Sequence, residues 1–247
     1  VPIGTEKRFA SMKERNSAMS DDMTRRGFLG AAGAAVAAGT VARAASKGAV
    51  KIVGVCCSPR KGKTTAASLK VCLEAAKGVD ARIETELIEL AGMAIPGEVA
   101  AGVPLAEGQK DDFPPLVGRL ASPEVRGIIV GTPVYFGDMS FLCKAFLDRC
   151  IAFRKNKMAL SNKVAGVLAV GACRNGGQEL TIRSVQTALL CQQMIVVGDG
   201  APTAHIGATV WNSGKGDVTE DAFGMATAKN LGRRVAEVAV LLTGAVR

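Results

Sequence analysis

The sequence predicts an α/β protein: a doubly wound, five-stranded parallel sheet with helices on both faces, three layers α/β/α. Three observations carry that reading. From Lys47 onward, short apolar runs alternate with stretches of helical periodicity. The apolar runs are nearly continuous, as they are in strands buried on both faces. The composition is 48% apolar, with 29 glycines and 4% aromatics, which suits strands of Val, Ile, Ala and Gly and excludes a disordered chain.

Taken in order, residues 49–56 read as a buried strand and 66–77 as a helix. Residues 82–90 alternate polar and apolar, as a strand near a sheet edge does. Residues 91–115 are rich in Gly and Pro and read as a long loop before a short helix near 116–120. A third strand at 127–132 precedes a helix over 141–153, and a fourth at 163–170 precedes a helix over 178–191. The fifth strand is 194–197. A last helix over 221–242 carries apolar residues at helical spacing, with Arg233, Arg234 and Glu237 turned to water.

The net charge of +9 divides unevenly along the chain. Residues 1–44 hold seven Lys/Arg and four Asp/Glu; the rest hold 24 and 18. No run of five basic residues occurs, and no basic stretch is interleaved with aromatics, so nucleic acid is not the expected partner. The excess can instead serve an anionic cofactor and substrate. The seven cysteines form neither a CxxC pair nor a Cys/His cluster, which gives a metal site little support and makes reduced, buried thiols the expectation.

Residues 1–44 read as an address. Arg25-Arg26-Gly27-Phe28-Leu29 leads into an Ala/Gly run and then Ala42-Arg43-Ala44, an A-x-A cleavage pattern. The arrangement resembles a twin-arginine signal, which implies the twin-arginine export machinery as a partner and a periplasmic location. As a helix, about 14 weakly apolar residues would rise only about 21 Å, short of the ~30 Å hydrocarbon core, so the stretch is not expected to span a membrane. The expected organisation is a signal over 1–44 and one α/β domain over 45–247.

Parallel sheets bind ligands beyond the carboxyl ends of their strands, near the switch in strand order. That rule selects three loops. The first, 57–65, leaves strand one and opens helix one, where backbone N–H groups face an anion. Arg60 and Lys63 add charge there, and Ser58, Thr64 and Thr65 add hydroxyl donors suited to a terminal phosphate. A rival reading uses the same residues: Gly62-Lys63-Thr64 is the end of a P-loop, G-x-x-x-x-G-K-[ST]. Its first glycine would fall at Cys57, however, and only Asp199 follows a strand as a magnesium-holding acid would. The second loop, Pro133-Val134-Tyr135-Phe136-Gly137, offers an aromatic pair to a planar ring. The third offers Gly171, Ala172, Arg174, Gly176 and Gly177, where glycines allow close backbone approach. His205 reads as structural, Trp211 as a cover for a ring edge or an interface, and Asp138 as the start of the next helix.

These residues carry a resemblance. Ser58-Pro59-Arg60-Lys61 with Thr64, then Thr132-Pro133-Val134-Tyr135-Phe136-Gly137 and Lys144-Ala145-Phe146-Leu147-Asp148-Arg149, resemble the flavodoxin-like NAD(P)H-dependent FMN reductase superfamily. Residues 171–179 and the tail Asn230-Leu231-Gly232-Arg233-Arg234-Val235 are most similar to its iron–sulfur flavoprotein branch. The resemblance spans residues 49–242. It implies FMN, with its phosphate on the first loop and its isoalloxazine between the second and third, and NAD(P)H as an electron donor. It also implies a homodimer or homotetramer with flavins near subunit interfaces. The flavin would carry the chemistry. No side-chain acid or base is expected; backbone amides at 135–137 and 171–174 would tune the ring, and Arg174 would stabilise the reduced, anionic flavin. The sequence departs from the resemblance in two respects: Cys57 and Lys63 stand where relatives often have Gly and Asn, and the cysteines that ligate iron in the branch would lie between Leu90 and Leu105, where this chain has none. Two functions follow, a reductase passing electrons to a quinone, metal ion or small organic acceptor, or a non-catalytic flavin-binding electron carrier. Export sharpens the choice, because NAD(P)H is not free outside the inner membrane.

Overall fold

The computed structural model describes residues 48–244; the signal expected over 1–44 lies outside the described residues. In chain order, β1 (Val50–Cys56) leads to α1 (Thr64–Lys77) and β2 (Ile83–Glu89). A 3-10 turn (Gly97–Ala101) and α2 (Pro114–Ala121) precede β3 (Val125–Tyr135), which folds back on β4 (Asp138–Met139). Then follow α3 (Phe141–Arg149), α4 (Ile151–Lys155), β5 (Val164–Gly171), α5 (Gln178–Leu190), β6 (Ile195–Val196), β7 (Ala208–Trp211) and α6 (Ala222–Thr243).

The strands run in the order β2-β1-β3-β5-β6, with β7 also on β5 and every pairing parallel except β3 with β4. This is the flavodoxin-like order, whose switch point lies between β1 and β3. The strand count is seven rather than the expected five, for two physical reasons. The fifth position in the sheet is shared. β6 pairs with Val164 and Ala165, β7 pairs with Leu168 to Gly171, and the chain between them leaves the sheet. That excursion brings its own polar partners: the buried Asp199 carboxylate accepts from the Thr203 hydroxyl and the His205 backbone N–H. The other addition is a hairpin. Val134 pairs with Met139 and Tyr135 with Asp138 across a two-residue turn. Its central residues, Phe136 (φ 51°) and Gly137 (φ 80°), are both left-handed, as a type I′ turn requires.

The sheet buries a core on each face. On one, α2 to α5 pack through Phe113, Phe146 and Phe153, Phe113 lying 6.1 Å from each of the other two rings. The long segment before α2 is anchored there by a buried ion pair. Arg149 bonds both oxygens of Asp111 at 3.0 and 2.7 Å and the Pro96 carbonyl at 3.0 Å, with its guanidinium 4.8 Å from the Phe113 ring centroid. On the other face, α1 and α6 cover the sheet through Leu69, Leu231 and Val235, all fully buried, each worth about 1.5–3 kcal/mol. The two helices meet at Gly232, where any Cβ would overlap the Cys72 carbonyl. That contact fixes α1, and with it the helix start that faces the first loop.

Candidate functional site

The first loop leaves the centre of the sheet. Cys57 N–H donates to Gly131 O at 2.8 Å and Leu90 N–H to Cys56 O at 2.9 Å, so the chain emerges between β2 and β3. Ser58 is buried and serves the loop itself: its Oγ accepts from Arg60 N–H at 3.2 Å and donates to Arg60 O at 3.3 Å. Gly62, at φ 67°, donates its N–H to Glu89 Oε2 at 2.7 Å. Beyond it α1 begins with no side-chain cap and no acid in its first turn. Its start is therefore a positive dipole end with no counter-charge of its own, flanked by exposed Arg60, Lys61 and Lys63. Thr64 and Thr65 are buried at that start.

The second loop is locked to the first. Ser140, the N-cap of α3, accepts from Cys143 N–H at 3.1 Å and donates to Cys57 O at 2.7 Å. Its own N–H donates to Thr132 Oγ1 at 3.1 Å. The cap expected at Asp138 thus falls on Ser140, because Asp138 is spent in the hairpin.

Together the loops enclose a cleft of about 320 Å³. Arg60 and Thr64 line it from the first loop, Pro133, Val134 and Tyr135 from the second, Val170 and Ala172 from the end of β5 and the third loop, and Asn212 and Gly214 from the segment after β7. A larger depression of about 550 Å³ is lined by α1 and α6 alone, by Lys70, Val71, Glu74, Ala75, Lys229, Asn230 and Arg233. Size therefore does not select the site; the convergence of the strand-end loops does.

The remaining sequence-selected residues lie around the cleft. Phe136, at the hairpin tip, is fully exposed. The glycines of the third loop serve the protein's own packing. A Cβ at Gly171 would overlap the Gln178 amide, one at Gly176 would lie 2.9 Å from Cys173 O, and one at Gly177 would lie 2.9 Å from Gly137 Cα. Gly177 thus holds the second and third loops together. Arg174 lines a neighbouring cavity of about 380 Å³ with Asn175, Gly177, Gln178 and Glu179, closed by Leu180, His205, Thr209 and Phe223.

Sequence reasoning missed the hub beside it. The Asp221 carboxylate, 1% exposed, pairs with Arg174 and accepts Trp211 N–H and Gly224 N–H at 2.9 Å each. Arg174 also lies 5.3 Å from the Trp211 ring centroid. Asp221 thereby joins the third loop, the end of β7 and the start of α6, and so steadies Asn212 and Gly214 at the cleft. Its position before the last helix was the available signal, since Asp is a favoured N-cap.

Five of the seven thiols are buried as expected, whereas Cys173 on the third loop and Cys191 at the end of α5 are exposed. Burial pushes Cys56 up to about 11 and Cys72 to about 12, and burial with a hydrogen bond to Cys143 raises Cys57 well above its ordinary value. Among the described residues, no group of three His, Cys, Asp or Glu could hold a metal ion.

Residues 50–209 match the family described as NADPH-dependent FMN reductase. The chain is 40% identical over 196 residues to an iron–sulfur flavoprotein of Methanocaldococcus jannaschii, covering 78% of this chain and 99% of that one. It is 32% identical over 177 residues to an NAD(P)H dehydrogenase (quinone) of Geobacter sulfurreducens, covering 66% and 80%. Among solved structures, a flavodoxin, WrbA-like protein from Agrobacterium tumefaciens superposes with a TM-score of 0.54 at 20% identity, covering 77% of this chain and 98% of that one, which shows a shared fold.

Proposed function

The chain belongs to the NADPH-dependent FMN reductase family, and from that premise we propose that it is an FMN-dependent oxidoreductase passing electrons from NAD(P)H to a quinone or another small acceptor. One observation carries the reading: the three strand-end loops chosen by fold logic line a single cleft. The cleft fits FMN at both ends. An uncapped helix start with Arg60 and Thr64 suits a phosphate, and the Pro133–Val134–Tyr135 wall suits a flat ring.

When bound, FMN supplies hydride and electron transfer. The chain's own residues bind and orient. Arg60 and Thr64, with the first N–H groups of α1, would hold the phosphate, while Glu89 holds Gly62 so that the loop keeps its shape. Val134 and Tyr135 would cover the ring, Asn212 and Gly214 would close the other side, and Ala172 would offer backbone to it. Arg174 would place positive charge at the rim, reduced by its pairing with Asp221.

Exposed Tyr135, Phe136, Phe141, Leu180 and Phe223 all follow strand ends or open helices at the cleft end of the sheet, which supports a homodimer or homotetramer closing over this end. Arg25-Arg26 and Ala42-Arg43-Ala44 support export as folded, cofactor-loaded cargo to the periplasm. The deciding experiment is steady-state oxidation of NADH and NADPH by the FMN-loaded protein, with and without a quinone. Turnover dependent on both FMN and quinone supports the reductase. FMN that is reduced by dithionite yet untouched by either nicotinamide would make the protein an electron carrier.

A further inference from the structure

At the end of the sheet opposite the flavin cleft, a lysine is buried without a counter-ion among the described residues. Lys163, the residue before β5, is 7% exposed. Its Nζ donates to Ser122 O at 2.8 Å, just after α2, and to Val125 O at 2.6 Å, at the start of β3. Two of its three protons are used there. The residues bordering those carbonyls, Ala121 and Arg126, line a cavity of about 390 Å³ together with Lys163, and Ile195, Ala239 and Leu242 form its apolar walls. Lys163 and Arg126 thus give the cavity a cationic end, beside polar Ser161 and Asn162 and an apolar body.

Among the described residues, no acid answers that charge. Arg126 is the side chain that bears on Lys163; Glu124, exposed on the same turn, forms no ion pair with it, and Glu237 on α6 is taken by Arg233 and Arg234. Carbonyl dipoles satisfy hydrogen bonds without cancelling a net charge, and a buried uncompensated charge is costly. Burial first, and the charge of Arg126 second, draw the amine down to about 8.

We propose that this cavity binds a small organic anion with an apolar body, a medium-chain or aromatic carboxylate, its carboxylate between Lys163 and Arg126 and its hydrocarbon against Ile195, Ala239 and Leu242. The volume lies in the range for small-molecule sites, roughly 300–1,000 Å³. Only the ammonium form attracts the anion. Binding must therefore raise the lysine's affinity for its proton, and carboxylate affinity must fall as pH rises through about 8. The site is independent of the flavin reading.

The test is calorimetric titration of the flavin-loaded full chain with octanoate, at pH 7 and pH 9 and in two buffers of different ionisation heat. Binding should weaken about tenfold between the two pH values, as the protonated fraction falls, and should take up protons near pH 8. Lys163→Met should abolish binding. Should that variant fail to fold, Arg126→Gln, at an exposed position, should weaken octanoate and move the fall in affinity to higher pH, because the Arg126 charge no longer draws the amine down. Octanol or octylamine binding as well as octanoate, sulfate competing as well as octanoate, or affinity independent of pH would each overturn the proposal.

Discussion

Replacing Thr64 by Ala tests the phosphate end of the cleft with the least disturbance to the fold. Thr64 is the first residue of α1, is 4% exposed and lines the cleft, and only its carbonyl is engaged, by Ser68 Oγ at 2.9 Å. Alanine is the better helix former, so the variant should fold as well as the parent. At the helix start, the Thr64 hydroxyl would donate to a bound phosphate. Loss of a hydrogen bond to a charged group costs about 1.5–3 kcal/mol, a roughly 10- to 150-fold fall in FMN affinity. Riboflavin has the same ring and no phosphate, so its affinity should hardly change. Fluorescence quenching titrations with both flavins measure the difference directly. Equal losses for the two would mean that Thr64 shapes the cleft rather than holding phosphate. Unchanged FMN affinity would place the phosphate elsewhere. Tight magnesium-dependent ATP binding by the parent, without FMN binding, would restore the P-loop reading of Gly62-Lys63-Thr64.

Gly177→Ala should both lower the melting temperature and weaken FMN binding, since alanine is strained at φ 95° and its Cβ would push the third loop from the Gly137 backbone; unaltered affinity would show the two loops to be independent. Arg149→Met leaves Asp111 as an unpaired buried carboxylate and should cost about 3–5 kcal/mol, or roughly 6–20 °C in melting temperature. Hydrogen bonds from Arg149 hold Asp111 below its ordinary value, so the pair's contribution is complete above about pH 4 and is lost as pH falls through the depressed value. The variant's melting temperature should lack that acid-side decline, and an identical pH profile would refute the assignment. Changing Arg25 and Arg26 both to Lys should retain the protein in the cytoplasm, and fractionation showing undiminished export would count against the twin-arginine reading. Anaerobically purified protein should carry flavin without stoichiometric iron or labile sulfide, because residues 91–105 contain no thiolate; about four irons per chain would contradict this.

The strands that proved easiest to read from sequence were the ones buried on both faces. β1, β3 and β5 are largely apolar runs bounded by Gly or polar turns, and the loops after them bring Arg60, Thr64, Pro133, Val134, Tyr135 and Ala172 to one cleft. Strand ends were less legible. β3 runs on to Tyr135 because Val134 and Tyr135 find partners across a hairpin, and Phe136-Gly137 is not the Asn-Gly pair that announces such a turn. β7 was missed because four residues, Ala208 to Trp211, carry too little periodicity to stand out from a loop.

By itself, then, the sequence determined the layer architecture, the strand-end loops and the chemistry those loops offer, because periodicity and turn composition are local properties. Tertiary structure alone decided which loop residues share a cleft. Asn212 and Gly214 line it because β7 joins β5 on the far side, and Asn212 N–H reaches Gly171 O at 3.0 Å across a sequence gap no pattern bridges. Arg174 pairs with Asp221, 47 residues away, because a buried carboxylate needs a cation beside it. Such pairings depend on what folding brings together, and the residues involved carry no local sign of their partners.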